Sequence, residues 1–135
     1  MTIVLDTNVL VSGLLQPFGP SGQIVRLVAS GDLVLCYDSR VLAEYREVLQ
    51  RAKFGFDLER VEALLEEIGA NGIPISARPL VIRLPDPDDE PFLEVALTGG
   101  ASCLVTGNLK HYPADACHGI MVLPPRPFIE LLRME

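Results

Sequence analysis

Cations are scarce in this chain. Its 135 residues carry 11 Lys and Arg against 18 Asp and Glu, for a formal net charge of −7. That balance excludes the broad electrostatic grip on nucleic acid in which Lys/Arg clusters release counterions from phosphates. Long apolar runs are missing too. The longest, such as Leu33 to Tyr37 and Ile120 to Leu123, fall far short of the ~20 residues that cross a bilayer. No basic start, apolar stretch and small-residue cleavage site opens the chain, because Asp6 interrupts its first apolar segment. The expectation is a cytoplasmic protein without membrane contact. Cysteine is sparse: Cys36, Cys103 and Cys117 are odd in number and lack C-x-x-C spacing. They read as reduced, Cys36 and Cys103 as small buried hydrophobes. The sequences G-x-x-x-x-G-K-[ST], G-x-G-x-x-G and G-x-S-x-G are all absent, which weakens the P-loop, dinucleotide and α/β-hydrolase readings. His111 and His118 are the only histidines, so neither a three-histidine zinc site nor a paired-histidine acid/base ribonuclease is available. Each reads as a surface loop residue.

What is present is a foldable chain, 49% hydrophobic and 21% charged. A chain of this size buries roughly two thirds of its unfolded surface and needs no disulfide or structural metal. With no internal repeat or long linker, residues 1–135 are expected to form one domain. Gly and Pro supply the punctuation. Thr2 to Leu5 reads as a strand ending in Asp6-Thr7-Asn8, and a two-part helical region follows, reopened at Gly19-Pro20-Ser21 and stopped by Gly31. Leu33 to Tyr37 is the second strand. Asp38 or Ser39 caps a helix to about Ala52, and Asp57 caps another to about Ala70, before Asn71-Gly72. The Pro-rich passage Ile73 to Pro87 holds short extended pieces at most. A helix over Pro91 to Thr98, strands over Ser102 to Thr106 and Ile120 to Leu123, and a helix from about Arg126 to Arg133 complete the chain. This alternation predicts a three-layer α/β/α sandwich around an open, mostly parallel sheet. In such sheets the functional crevice lies beyond the carboxyl ends of the strands, which points to Asp6-Thr7-Asn8 and Thr106-Gly107-Asn108.

Carboxylates are aimed at that crevice. Asp6 reads as an Asx-turn or cap, or as a metal ligand. Glu44 falls ~100° from the centre of an apolar helix face, so it is either half covered or a solvated partner of Arg40. Asp89 stands before Pro91-Phe92-Leu93, where N-capping competes with ligation. Asp86, Asp88 and Glu90 crowd the same segment, and a divalent cation would relieve their repulsion. Oxygen donors without Cys or His select Mg²⁺ or Mn²⁺ over zinc. Asn108 is a turn residue or a neutral carbonyl ligand.

These residues resemble the PIN-domain nucleases, particularly the toxins of toxin–antitoxin systems related to the VapC ribonucleases. The resemblance rests on Ile3-Val4-Leu5-Asp6-Thr7-Asn8-Val9-Leu10-Val11-Ser12, on Leu42-Ala43-Glu44-Tyr45 with Leu49 to Phe54, on Asp86 to Ala96, and on Leu104-Val105-Thr106-Gly107-Asn108-Leu109-Lys110-His111-Tyr112-Pro113. It implies that Asp6, Glu44 and Asp89 are the catalytic, metal-binding acids. Asn108 takes the place where many relatives have a fourth acid, which removes one negative charge. Asn8, Ser12 and Thr106 would support the site, and Arg40, Arg51, Lys53 and Lys110 would contact phosphates. The implied activity is Mg²⁺- or Mn²⁺-dependent hydrolysis of single-stranded or structured RNA, giving 5′-phosphate and 3′-hydroxyl ends. An antitoxin protein and a homodimer are the implied partners. The alternatives are a PIN fold kept as an RNA- or protein-binding module or, on weaker motif grounds, a phosphatase or receiver domain. The first wants Asp-x-Asp where Asn8 stands, and the second wants a lysine after the last strand.

Overall fold

Consecutive residues of a strand point to opposite sheet faces, so an uninterrupted apolar run belongs where both faces are covered. Ile3, Val4 and Leu5 are all fully buried, as are Leu104 and Val105. The structure, a computed structural model, describes residues 1–134. It places β1 (Thr2–Leu5) at the middle of a five-stranded sheet with β2 (Val34–Tyr37), β3 (Ile73–Pro74), β4 (Cys103–Val105) and β5 (Met121–Leu123). The strand order is β3-β2-β1-β4-β5, and every pairing is parallel. Ile3 pairs with Leu35 on one side and Cys103 on the other, and Leu5 pairs with Val105. The chain builds outward from β1 through β2 and β3, then crosses back to β4. The switch point therefore lies between the ends of β1 and β4, where Asp6 and Thr106 follow.

Among the described residues, six helices cover the sheet: α1 (Thr7–Leu15), α2 (Pro20–Ser30), α3 (Ser39–Leu49), α4 (Leu58–Asn71), α5 (Glu90–Gly99) and α6 (Pro125–Arg133). Their ends follow local chemistry. Asp38 accepts a hydrogen bond from Val41 N at 2.9 Å and Asp57 one from Glu59 N at 3.0 Å, as caps do. Gly31 ends α2 in the left-handed region, φ +85°. Helix α3 stops at Leu49 instead of running to Ala52. Arg51 is extended, and Ala52–Phe54 form a separate 3₁₀ turn in which Phe54 stacks on Phe56, centroids 5.5 Å apart. The buried face of α3 ends with Leu49, and beyond it the aromatic pair gains more from a turn than from another helical step. Cys36, Cys103 and Cys117 are free; Cys36 and Cys103 are buried as expected, and Cys117 is buried too.

Within the acidic run before α5, Glu90 takes a structural role apart from the other acids. Along α5, Glu90, Glu94 and Thr98 recur every four residues and so share one edge of the helix. They hold the Pro-rich passage as a strap. Leu84 N donates to Glu90 Oε2 at 3.0 Å, Leu80 N to Glu94 Oε2 at 3.0 Å, and Arg78 N to Thr98 Oγ1 at 2.9 Å. Arg83 and Arg40 add ion pairs at 2.8 Å to Glu90 and Glu94. A proline-rich strap cannot satisfy its own N–H groups, and buried carboxylates replace the missing ladder. Replacing Glu94 by alanine is expected to destabilise the fold by about 2 kcal/mol, since it strands Leu80 N–H and leaves the half-exposed Arg40 with Asp38 alone. Urea denaturation checks this; an unchanged midpoint would show that the strap holds without that bond.

Candidate active site

Backbone pairing places the first acid. Asp6 N–H donates to Val105 O at 2.9 Å, which seats the residue in the crevice between β1 and β4. Its carboxylate is 5% exposed. Oδ2 accepts from Thr106 Oγ1 at 2.9 Å and from Tyr112 OH at 3.0 Å. Thr106 in turn accepts from Asn108 N at 3.0 Å, and Asn8 Oδ1 accepts from Gly107 N at 3.0 Å. Asn8 and Thr106 thus pin the turn after β4 to the start of α1.

Helix α3 delivers the second acid. Buried Tyr45 donates its hydroxyl to Leu5 O at 2.6 Å, tying α3 to the end of β1. Glu44, half-buried beside it, accepts a hydrogen bond from the Thr7 hydroxyl. Arg40 is not its partner; that guanidinium pairs with Asp38 and Glu94. Asp89 closes the 3₁₀ turn Pro87–Asp89, buried at the N-terminus of α5, and its side chain caps nothing. His111 donates to it instead, Nδ1 to Oδ2 at 3.0 Å.

A common pattern joins the three acids. Each has one oxygen pinned: Asp6 by two hydroxyls, Glu44 by one, Asp89 by an imidazole. Among the described residues, no protein donor reaches Asp6 Oδ1, Glu44 Oε1 or Asp89 Oδ1. The electrostatics show the cost. Burial, with the charge of Asp6 adding to it, pushes the Asp89 carboxyl up to about 6 against the partial relief from His111. Burial likewise raises Glu44, opposed by the Thr7 hydroxyl and reinforced by Asp6, Asp88 and Glu47. Burial foremost, then Asp6, raises Tyr112, which therefore stays a neutral donor. The crevice carries more negative charge than its own side chains neutralise, and its free atoms are hard oxygens. That donor set fits a divalent cation of the Mg²⁺ or Mn²⁺ kind.

The tightest grouping differs from the expected one. Ligand atoms of Asp86, Asp89 and His111 lie within 4.8 Å of one another, whereas Asp6, Glu44 and Asp89 do not all approach that closely. A hydrated ion would reach more widely spaced carboxylates through its waters. The sequence reading missed His111 and Tyr112 as members and placed Asp86 only in the acidic run that a cation would relieve. His111 is no ordinary surface loop residue, because the turn Leu109–His111 brings it back onto Asp89. The signal available was its place, directly after Thr106-Gly107-Asn108.

The remaining candidates scatter. Asn108 is exposed and enters the network through its backbone N–H, not its carbonyl oxygen. Ser12 lies further along α1, in an apolar cleft beside the acids. Arg51 is engaged with Glu47 at 2.9 Å, and the Lys53 ammonium rests 5.1 Å over the Phe54 ring. Lys110 is exposed next to His111.

Comparison with known proteins places this geometry. The family model described as PIN domain matches residues 2–110. No curated protein matches the chain. A solved structure, VapBC2 from Rickettsia felis bound to a DNA fragment from their promoter, has a similar fold, with a TM-score of 0.58 and 21% identity. The match covers 91% of this chain and 97% of that one.

Proposed function

Because the chain belongs to the PIN-domain family, we propose that it is a metal-dependent endoribonuclease that hydrolyses RNA phosphodiesters and acts as the cytoplasmic toxin of a toxin–antitoxin pair. The observation that carries this reading is the set of buried and half-buried acids at the sheet's switch point, each with one oxygen pinned and one free. Asp6, Glu44 and Asp89 would hold Mg²⁺ or Mn²⁺, with Asp86 and His111 beside Asp89. Such an ion, when bound, acidifies a water for in-line attack and offsets charge on the leaving oxygen.

The chain's own residues do the positioning. Thr106 and Tyr112 fix the rotamer of Asp6 by donating to the same oxygen, so the other keeps one direction. Thr7 does the same for Glu44, and His111 for Asp89. Lys53 and Lys110 are the phosphate contacts proposed here; Arg40 and Arg51 would first have to leave their carboxylate partners. An acidic crevice suits an antitoxin that presents Arg or Lys, and the structural neighbour is VapBC2 bound to a DNA fragment from their promoter. A homodimer is proposed with it.

The test is cleavage of a mixed single-stranded RNA panel in Mn²⁺ and in EDTA, with wild type and Glu44→Gln purified in parallel. Glu44 is half-buried, so the variant is expected to fold. Metal-dependent products with 5′-phosphate ends, from wild type only, are the expected result. Equal cleavage by both proteins would trace the activity to a contaminant. No cleavage with metal binding verified would make the chain a binding module.

A further inference from the structure

Beside the acids, a cleft of about 390 Å³ opens between α1 and the end of α3, within the roughly 300–1,000 Å³ of small-ligand sites. Its floor is one face of α1. Two rows run along that face at helical spacing: Thr7, Val11 and Leu15, and next to them Asn8, Ser12 and Gln16. The first row is apolar beyond Thr7, and the second is polar throughout. Val48 and Phe54 form the facing wall. Thr7 and Asn8 also belong to the site, through Glu44 and Gly107, so cleft and acids are continuous. From Thr7 to Leu15 the rows extend about 12 Å at 1.5 Å per residue.

On the nuclease reading, which this inference assumes, an acidic protein must hold an RNA strand with few cations. Arg40, Arg46, Arg51 and Arg83 are all tied to carboxylates of the chain itself. Of the proposed phosphate contacts that leaves Lys53 and Lys110, and contacts to the bases supply affinity beyond theirs. Bases stack on apolar and aromatic surface whatever their identity and expose polar edges at the rim. A wall with an apolar row, a polar row beside it and an aromatic ring opposite has that profile.

We propose that this cleft is a nucleobase subsite, which takes the unstacked base of the nucleotide next to the scissile phosphate between the Val11–Leu15 row and the Phe54 ring, with Ser12 and Gln16 at its edge. Lys53, now over the Phe54 ring, stands where it can turn to that nucleotide's phosphate. The subsite would select for single-stranded RNA, because a paired base cannot enter.

The experiment pairs substrate and protein changes. A short single-stranded RNA is cleaved in Mn²⁺ with either a normal base or an abasic sugar at the nucleotides flanking the mapped cut, by wild type, Phe54→Ala and Leu15→Gln. Leu15 is 54% exposed, so its variant keeps the fold even if the turn around Phe54 yields. For wild type, kcat/KM is expected to fall about tenfold or more on the abasic RNA at one flank. Both variants should lose that difference, cleaving the two RNAs at the same reduced rate. Cleavage by wild type that ignores the abasic position overturns the subsite while leaving the nuclease in place. Variants that keep full base discrimination but change the protein's oligomeric mass assign the cleft to a protein contact and also overturn it. Absence of metal-dependent cleavage by wild type overturns the nuclease reading, and the subsite falls with it.

Discussion

Asp89→Asn is expected to abolish metal-dependent cleavage, by about a thousandfold or more, while making the metal-free protein more stable at neutral pH. The two effects share a cause. Asp89 is buried beside Asp6, and its carboxyl is raised from the ordinary 3.8 to about 6. A group whose folded-state pKa is raised contributes stability that is fully present below its unfolded pKa and lost as pH rises through the folded one. The contribution is therefore intact below pH 3.8 and gone above about 6. At pH 7.5 the ionised site costs about 2–3 kcal/mol relative to a neutral one. Asparagine keeps the shape and an acceptor for His111 but carries no charge. Thermal melts in EDTA should show the variant several degrees above wild type at pH 7.5 and level with it near pH 4. A variant that melts below wild type at pH 7.5, or that still cleaves, would remove Asp89 from the centre.

Divalent metal should produce the opposite shift in wild type. An ion that binds only the folded chain stabilises it by about 2.7 kcal/mol at a hundredfold excess over its Kd. For a domain of this size that is roughly 8–15 °C in Tm. Protons compete for the same oxygens, so the shift should shrink as pH falls through 6, where Asp89 takes up its proton. Differential scanning calorimetry with Mn²⁺ and then excess EDTA measures it directly. In Asp89→Asn the Mn²⁺ shift should be lost, so the two proteins change places in stability when metal is added. A Tm that ignores Mn²⁺ in wild type would mean that the acids do not form a metal site.

Much of the fold was legible because its signals are local. The apolar runs Ile3-Val4-Leu5 and Cys103-Leu104-Val105, each between turn residues, could only be strands buried on both faces. Asp38, Asp57 and Gly31 mark helix ends through their own backbone chemistry. Asp6 and Asp89 were legible through their place after a strand and before a helix. What escaped the sequence was partnership. Glu90 and Asp89 are neighbours with the same charge, yet one clamps the strap and the other faces the crevice. Nothing in the residue types separates them; the direction of each side chain at the start of α5 does. Arg40 looked like the natural i,i+4 partner of Glu44 but has Asp38 and Glu94 in reach. His111 read as a surface loop residue, and Tyr112 had no role assigned, because the turn returning them to Asp89 and Asp6 has no periodicity to reveal it.

The crossing back from β3 to β4 also sets a timetable. Asp6 leaves the ribosome well before β4, so one edge of β1 stays unpaired until β4 exists. The hydroxyls of Thr106 and Tyr112 that orient its carboxylate emerge later still. At the usual elongation rates of about 5–20 residues per second, several seconds separate the first acid from the completed crevice. The chain must therefore be translated through Tyr112 before a competent centre can form. A nascent chain that stalls upstream of β4 releases a fragment holding Asp6 and Glu44 but no assembled site.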